Sequence, residues 1–192
     1  MTKIQSREVE LVAIPDRRVI AVDGEGDPEK ETFTNAVRSL YSVAYGAKFA
    51  LKKRGCELGK VGQLEALWSG VTDVDGLSSS DRNSWRWTAV IEIPEQVTQD
   101  VVDDVTAQKP TASHVDVRVL REGECVQVLH VGPYAEEPKT LHAMSEFMKD
   151  HELRPAGRHH EIYFGDPRRT APEKLRTLLR QPVEHAPTAE SS

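Results

Sequence analysis

Apolar and polar positions alternate in seven short runs, the pattern of half-buried strands: residues 9–14, 18–23, 61–68, 85–93, 115–120, 125–131 and 159–164. Four other stretches repeat their apolar residues every three or four positions and predict helices. The longest, 29–53, carries Phe33, Val37, Leu40, Tyr41, Ala44 and Leu51. Asp27-Pro28 and the acidic Glu29 and Glu31 suit its start, and Lys52, Lys53, Arg54 and Gly55 suit its end. A short helix is expected around Val97, Val101, Val102 and Val105, and another over 138–150 with Leu141, Met144 and Met148 on one face. A last helix is expected to open at Thr170-Ala171-Pro172-Glu173, which reads as a capping box, to carry Leu175, Leu178 and Leu179, and to stop at Pro182. Between these elements, Pro15-Asp16-Arg17 predicts a tight turn. Arg121-Glu122-Gly123-Glu124 predicts the turn of a hairpin joining 115–120 to 125–131.

The elements repeat. Residues 18–45 run strand, Gly24/Gly26 bend, acidic start, amphipathic helix, and reach strands at 61–68 and 85–93. Residues 125–151 run strand, Gly132-Pro133-Tyr134, Glu136-Glu137, amphipathic helix, and reach the strand at 159–164. Two such units predict an α+β chain of two similar halves whose sheets bury helices on one side, with a groove between them as the expected ligand site. The boundaries read as 8–94 and 113–183 within one domain, 8–183, with 1–7 and 184–192 as loose tails and 71–83 as a long loop.

Composition narrows the function. The chain has 192 residues and a net charge of −6, with no basic block, which argues against direct binding of nucleic acid or anionic membrane. It lacks an apolar run of membrane-spanning length. Two cysteines, Cys56 and Cys125, indicate no disulfide framework, so the expected setting is the cytoplasm with both thiols reduced. Gly24 and Gly26 lack the third glycine or the Gly-Lys-Ser/Thr ending of a phosphate loop. Asp73, Asp75 and Gly76 lack the closing glutamate of a calcium loop. No metal or cofactor is expected, since His159 and His160 point to opposite strand faces and the other histidines are dispersed.

The candidate chemistry lies in His159-His160-Glu161-Ile162-Tyr163-Phe164. Strand alternation puts His159, Glu161 and Tyr163 on one face and His160, Ile162 and Phe164 on the other, expected to be the core side. A carboxylate flanked by an imidazole and a phenol is either an exposed sheet face or the wall of a binding cleft.

Several motifs together resemble the GyrI-like small-molecule-binding family. They are Val22-Asp23-Gly24-Glu25-Gly26-Asp27-Pro28, Leu40-Tyr41-Ser42-Val43-Ala44-Tyr45, Glu122-Gly123-Glu124-Cys125-Val126-Gln127, Leu129-His130-Val131-Gly132-Pro133-Tyr134, and 159–164 followed by Asp166-Pro167-Arg168-Arg169. The family resembles the effector domains of multidrug-responsive regulators. The resemblance implies two pseudo-symmetric strand–helix–strand–strand modules, antiparallel sheets and a central ligand cleft. It implies that Glu161 faces a hydrophobic, aromatic or cationic small molecule, with Trp68, Tyr134 and Tyr163 as cage rings, Trp85 and Trp87 as further walls, and His159 beside them. Related sequences tend to carry a second tryptophan after Leu-Trp, where this chain has Ser69. Some stand-alone members are similar to hydrolases that open the cyclopropane of DNA-alkylating compounds, with Glu161 as the expected base on water and Tyr163 expected to orient that water or the substrate carbonyl. A non-catalytic drug-binding protein or sensor, and a gyrase-modulating interaction protein, are the alternatives. A monomer and a homodimer are equally compatible with the sequence.

Overall fold

The computed structural model of the protein describes residues 7–69, 82–111 and 113–186. Most of the expected 71–83 loop and the two outermost tails lie outside these residues. Nine strands, three α-helices and short 3-10 turns are present among the described residues, and the strand pairings within each unit are antiparallel. The fold is α+β with two strand–helix–strand–strand modules, as the sequence predicts. The described residues divide into two compact units, one made of 7–15 and 122–186, the other of 16–69, 82–111 and 113–121.

In the 16–121 unit, β2 (Arg17–Glu25) leads into α1 (Glu31–Lys53), then β3 (Leu64–Ser69) and β4 (Arg86–Glu92). After α2 (Gln99–Gln108) comes β5 (Asp116–Leu120), and the strands lie in the order β3-β4-β2-β5. Thr98 caps α2 by accepting from the Val101 amide at 3.4 Å. Helix α1 buries Ala36, Leu40, Val43, Ala44, Ala47 and Leu51; of the expected stripe, Leu40, Ala44 and Leu51 are buried, while Phe33, Val37 and Tyr41 lie at its edge, partly exposed.

In the other unit, β6 (Gly123–Val131) leads through a 3-10 turn (Tyr134–Glu136) into α3 (Glu137–Asp150), then β7 (Leu153–Pro155), β8 (His159–Tyr163) and β9 (Arg176–His185). With β1 (Glu10–Ile14) the strands lie in the order β1-β6-β9-β8, and β7 pairs with the far end of β9. Leu141, Met144 and Met148 of α3 pack on Val126, Val128 and Leu179. Leu179 is the cross-strand partner of Glu161, so α3 lies on the Glu161 face of the sheet.

The repeat is carried down to single hydrogen bonds. Gly26 and Gly132 both adopt positive φ, at 96° and 140°. The Gly26 amide donates to the Trp85 carbonyl at 2.8 Å, and the Gly132 amide to the Leu175 carbonyl at 3.0 Å. Each bend therefore ties the exit of its first strand to the entry of its last, and only a residue tolerant of positive φ fits there without strain.

Three sequence expectations are corrected. The segment after Thr170 is not a helix: Pro172–Lys174 makes one 3-10 turn and β9 follows. Strand β9 is buried along most of its length on both faces, so the polar–apolar alternation that marks a strand is missing, and Leu175, Leu178 and Leu179 imitate a helical stripe. The expected hairpin of 115–120 with 125–131 does not form, because β5 pairs with β2 while β6 pairs with β1 and β9. Likewise β1 does not pair with β2, which pairs with β4 and β5. Each edge strand runs directly into the first strand of the other unit through two residues, 15–16 and 121–122, so the expected turns are not formed there. Finally, Phe164 is not a core residue: it is 37% exposed, with the Arg176 guanidinium 5.9 Å from its ring centre.

Candidate functional site

Strand β8 delivers the acid. Glu161 is buried, and the Tyr163 hydroxyl donates to its Oε2 at 2.5 Å, as i, i+2 neighbours on one strand face can. His159, next on that face, is buried with its Nε2 3.7 Å from Glu161 Oε1, and neither ring nitrogen has a hydrogen-bond partner. The Tyr134 ring meets the Tyr163 ring edge-on, 6.2 Å between centres at 82°. Glu161, Tyr163, Tyr134 and His159 are thus brought together in one unit.

The cluster contains an acid that the sequence reading passed over. Glu137, the first residue of α3, looks in sequence like an ordinary complement to a helix dipole. It is 9% exposed, it accepts from the Thr177 hydroxyl, and its Oε1 has no hydrogen-bond partner. Thr177 is the cross-strand partner of Tyr163, which sets Glu137 beside the β8 face. The repeat is the signal that could have singled out this stretch, since Glu137 stands five residues after Gly132 as Glu31 stands after Gly26.

The electrostatics follow from burial and charge. Desolvation and then the Glu161 charge push Glu137 up to about 9, against a smaller lowering by the Thr177 bond. Desolvation and the charge and hydrogen bond of Glu161 push Tyr163 well above its ordinary value. Desolvation, with Glu137, Glu161 and Asp166, pushes Tyr134 up to about 12. Desolvation lowers His159 to about 3, with neighbouring His160 adding to it, so its ring is neutral at neutral pH. At pH 7 the cluster has two phenols, a neutral imidazole and a protonated Glu137 carboxyl around Glu161.

The opposite face of the same sheet holds β8 in register. Glu10, Gln127, Arg180 and His160 form one row across β1, β6, β9 and β8. Gln127 Nε2 donates to Glu10 at 2.9 Å, and Arg180 donates to Gln127 Oε1 at 3.0 and 3.1 Å. Glu122 joins the row, bonded to Arg180 at 3.0 Å and to His160 Nδ1 at 2.7 Å.

In the 16–121 unit two tryptophans pack on Phe33 of α1 and the third packs on one of them. Trp68 stacks on it at 6.0 Å, Trp87 meets it edge-on at 4.9 Å, and Trp85 lies 5.5 Å from Trp68. Trp87 is 2% exposed, lies against Gly24 and donates through Nε1 to the Gly26 carbonyl at 3.2 Å. Trp68 is buried and its indole N–H has no hydrogen-bond partner. Among the described residues no three His, Cys, Asp or Glu side chains converge as metal ligands, and no helix is long and apolar enough to cross a membrane.

Two modules of this topology with a buried acid–phenol cluster define a small-molecule-binding domain. A family model described as the GyrI-like small molecule binding domain matches residues 7–184, and the chain belongs to that family. A conserved, uncharacterized protein from Listeria innocua is 37% identical, with 93% of each chain covered and a TM-score of 0.83. Two hydrolases from Listeria innocua are 35% and 34% identical, with TM-scores of 0.83 and 0.79; coverage is 93% of each chain for the first, and 95% of this chain and 94% of the neighbour for the second. No curated protein matches the sequence.

Proposed function

We propose that this protein takes up small, hydrophobic, aromatic xenobiotics in the cytoplasm and hydrolyses those with a cyclopropane-type electrophile. The observation that carries the reading is the buried Glu161 carboxyl held by the Tyr163 hydroxyl at 2.5 Å. A buried carboxylate with a fixed hydrogen-bond partner is a positioned base: Glu161 takes a proton from water as the water oxygen attacks the strained carbon. The carbon–carbon bond of the ring breaks, and its electron pair moves into the conjugated system of the ligand. Tyr163 fixes the carboxylate, and Tyr134 supplies a ring face for an aromatic ligand. In the 16–121 unit the reading carries Trp68, Trp85 and Trp87 as stacking rings. The likeness to the Listeria hydrolases supports it.

The test is incubation with a duocarmycin-type alkylator, followed by mass spectrometry. The wild type adds one water to the compound, and Glu161→Gln lowers the rate by about 100-fold or more, the usual worth of a general base. A second reading, binding without turnover, is favoured by the half-exposed Tyr134 ring in the field of Glu161, an arrangement suited to an aromatic cation. An unchanged compound that still raises the melting temperature selects that reading. A compound neither changed nor bound overturns both.

A further inference from the structure

The hydrolytic reading leaves two polar groups of the cluster unused. Glu137 is 91% removed from solvent, and its Oε1 is buried without a hydrogen-bond partner. His159 is 5% exposed, and both of its ring nitrogens are unpartnered. A buried donor left unpaired is costly, and a ligand oxygen relieves that cost. The groups that face Glu137 are Glu161 and Tyr163 from β8, Thr177 from β9 and Tyr134 from the preceding turn. Each is acidic or uncharged, so no cation among them favours ionisation of Glu137. Two carboxyls buried in each other's field do not both ionise, and the proton stays on the one with the fewer compensating bonds.

We propose that Glu137 is the proton donor of this site, and that its preferred ligands are neutral aromatic compounds presenting a carbonyl oxygen rather than cations. The proposal rests on the hydrolytic reading for its chemistry. As water attacks and the cyclopropane carbon–carbon bond breaks, the electron pair flows to the conjugated carbonyl oxygen, which takes the Glu137 proton. Glu161 holds the proton removed from water and returns it to Glu137, so the site ends as it began. A cation would instead be offered an O–H that it cannot accept.

Three proteins are compared: wild type, Glu137→Gln, which keeps a neutral donor but has no transferable proton, and Glu137→Leu, which has neither. The probes are a neutral spirocyclopropane cyclohexadienone of the duocarmycin type and methyltriphenylphosphonium. Binding is read by calorimetry and turnover by mass spectrometry, from about pH 6 to about pH 10. Wild type binds the dienone more tightly than the cation at neutral pH, and loses about tenfold in dienone affinity as Glu137 ionises near pH 9. Glu137→Gln keeps the neutral-pH affinity within about threefold, loses that pH dependence, and turns over about 100-fold more slowly. Glu137→Leu binds the dienone about tenfold more weakly. Melting temperatures of both variants at or above that of wild type show that the fold is intact. Glu137→Gln turning over at the wild-type rate with an unchanged pH profile overturns the proposal, as does tighter binding of the cation by wild type at neutral pH. If wild type binds the dienone without adding water, the hydrolytic reading falls, and the affinities and their pH dependence still decide for or against Glu137 as donor. A wild type that neither binds nor converts the dienone overturns both.

Discussion

Glu161 and Tyr163 sit two residues apart on one strand, and their bond is charge-assisted and part-buried. A hydrogen bond to a charged group contributes roughly 1.5–3 kcal/mol, so Tyr163→Phe is expected to lower kcat by about 10- to 100-fold with little change in KM, measured by steady-state kinetics on the dienone. A loss confined to KM would instead make Tyr163 a ligand contact. Gly24 acts through volume alone. A Cβ there would stand 2.1 Å from the Trp87 ring, and that ring is pinned by Phe33 and the Gly26 carbonyl. Gly24→Ala is expected to destabilise the protein by about 3 kcal/mol in urea unfolding, the upper part of the range for an overpacked core.

At the scale of elements, β8 carries the site on one face and its anchor on the other. Arg180 is 6% exposed and bridges Gln127 and Glu122, so its removal takes the guanidinium away from a buried carboxylate that His160 also bonds. Arg180→Ala is expected to cost about 3–5 kcal/mol, read by chemical denaturation, whereas an exposed pair such as Arg54–Asp104 contributes under about 1 kcal/mol. This row also shows where the sequence was legible. Helices α1 and α3 were visible because their outer faces are wet, which leaves a clear apolar stripe. The β8 strand and Glu161 were visible because a carboxylate among aromatics stands out. Strand β9 was not, because Thr177, Arg180 and Gln181 are polar yet buried, and an inward polar residue reads in sequence as an outward one. Glu137 and Glu122 were hidden for a related reason: each occupies a place, helix start or turn, where an acidic residue needs no special explanation.

For the whole molecule, the two shifted groups give opposite pH dependences. Glu137 has a folded pKa raised from 4.5 to about 9, so the folded state holds the extra proton in that window and stability falls as pH rises through it. His159 has a folded pKa lowered from 6.5 to about 3, so the unfolded state holds the extra proton and stability falls as pH drops through that window. Between 4.5 and 6.5 the two slopes cancel, which predicts a plateau there, a decline above it and a decline below it. Melting temperatures across pH check this. Glu137→Gln is expected to remove the upper decline and to gain stability on the order of 2–3 kcal/mol at neutral pH, the cost of keeping a carboxyl protonated for function.

The two edge strands have a consequence for how the chain is born. A ribosome delivers β1 first, yet Glu10 and its partner Gln127 are 117 residues apart. Until β6 emerges, β1 is a lone segment with an unpaired backbone, while β2, α1, β3, β4 and β5 can already close on one another. The unit that carries Glu161 therefore matures last. A stall in translation before β6 would leave a folded tryptophan-bearing unit trailing an exposed strand, the form most open to proteases and to pairing with a second nascent chain.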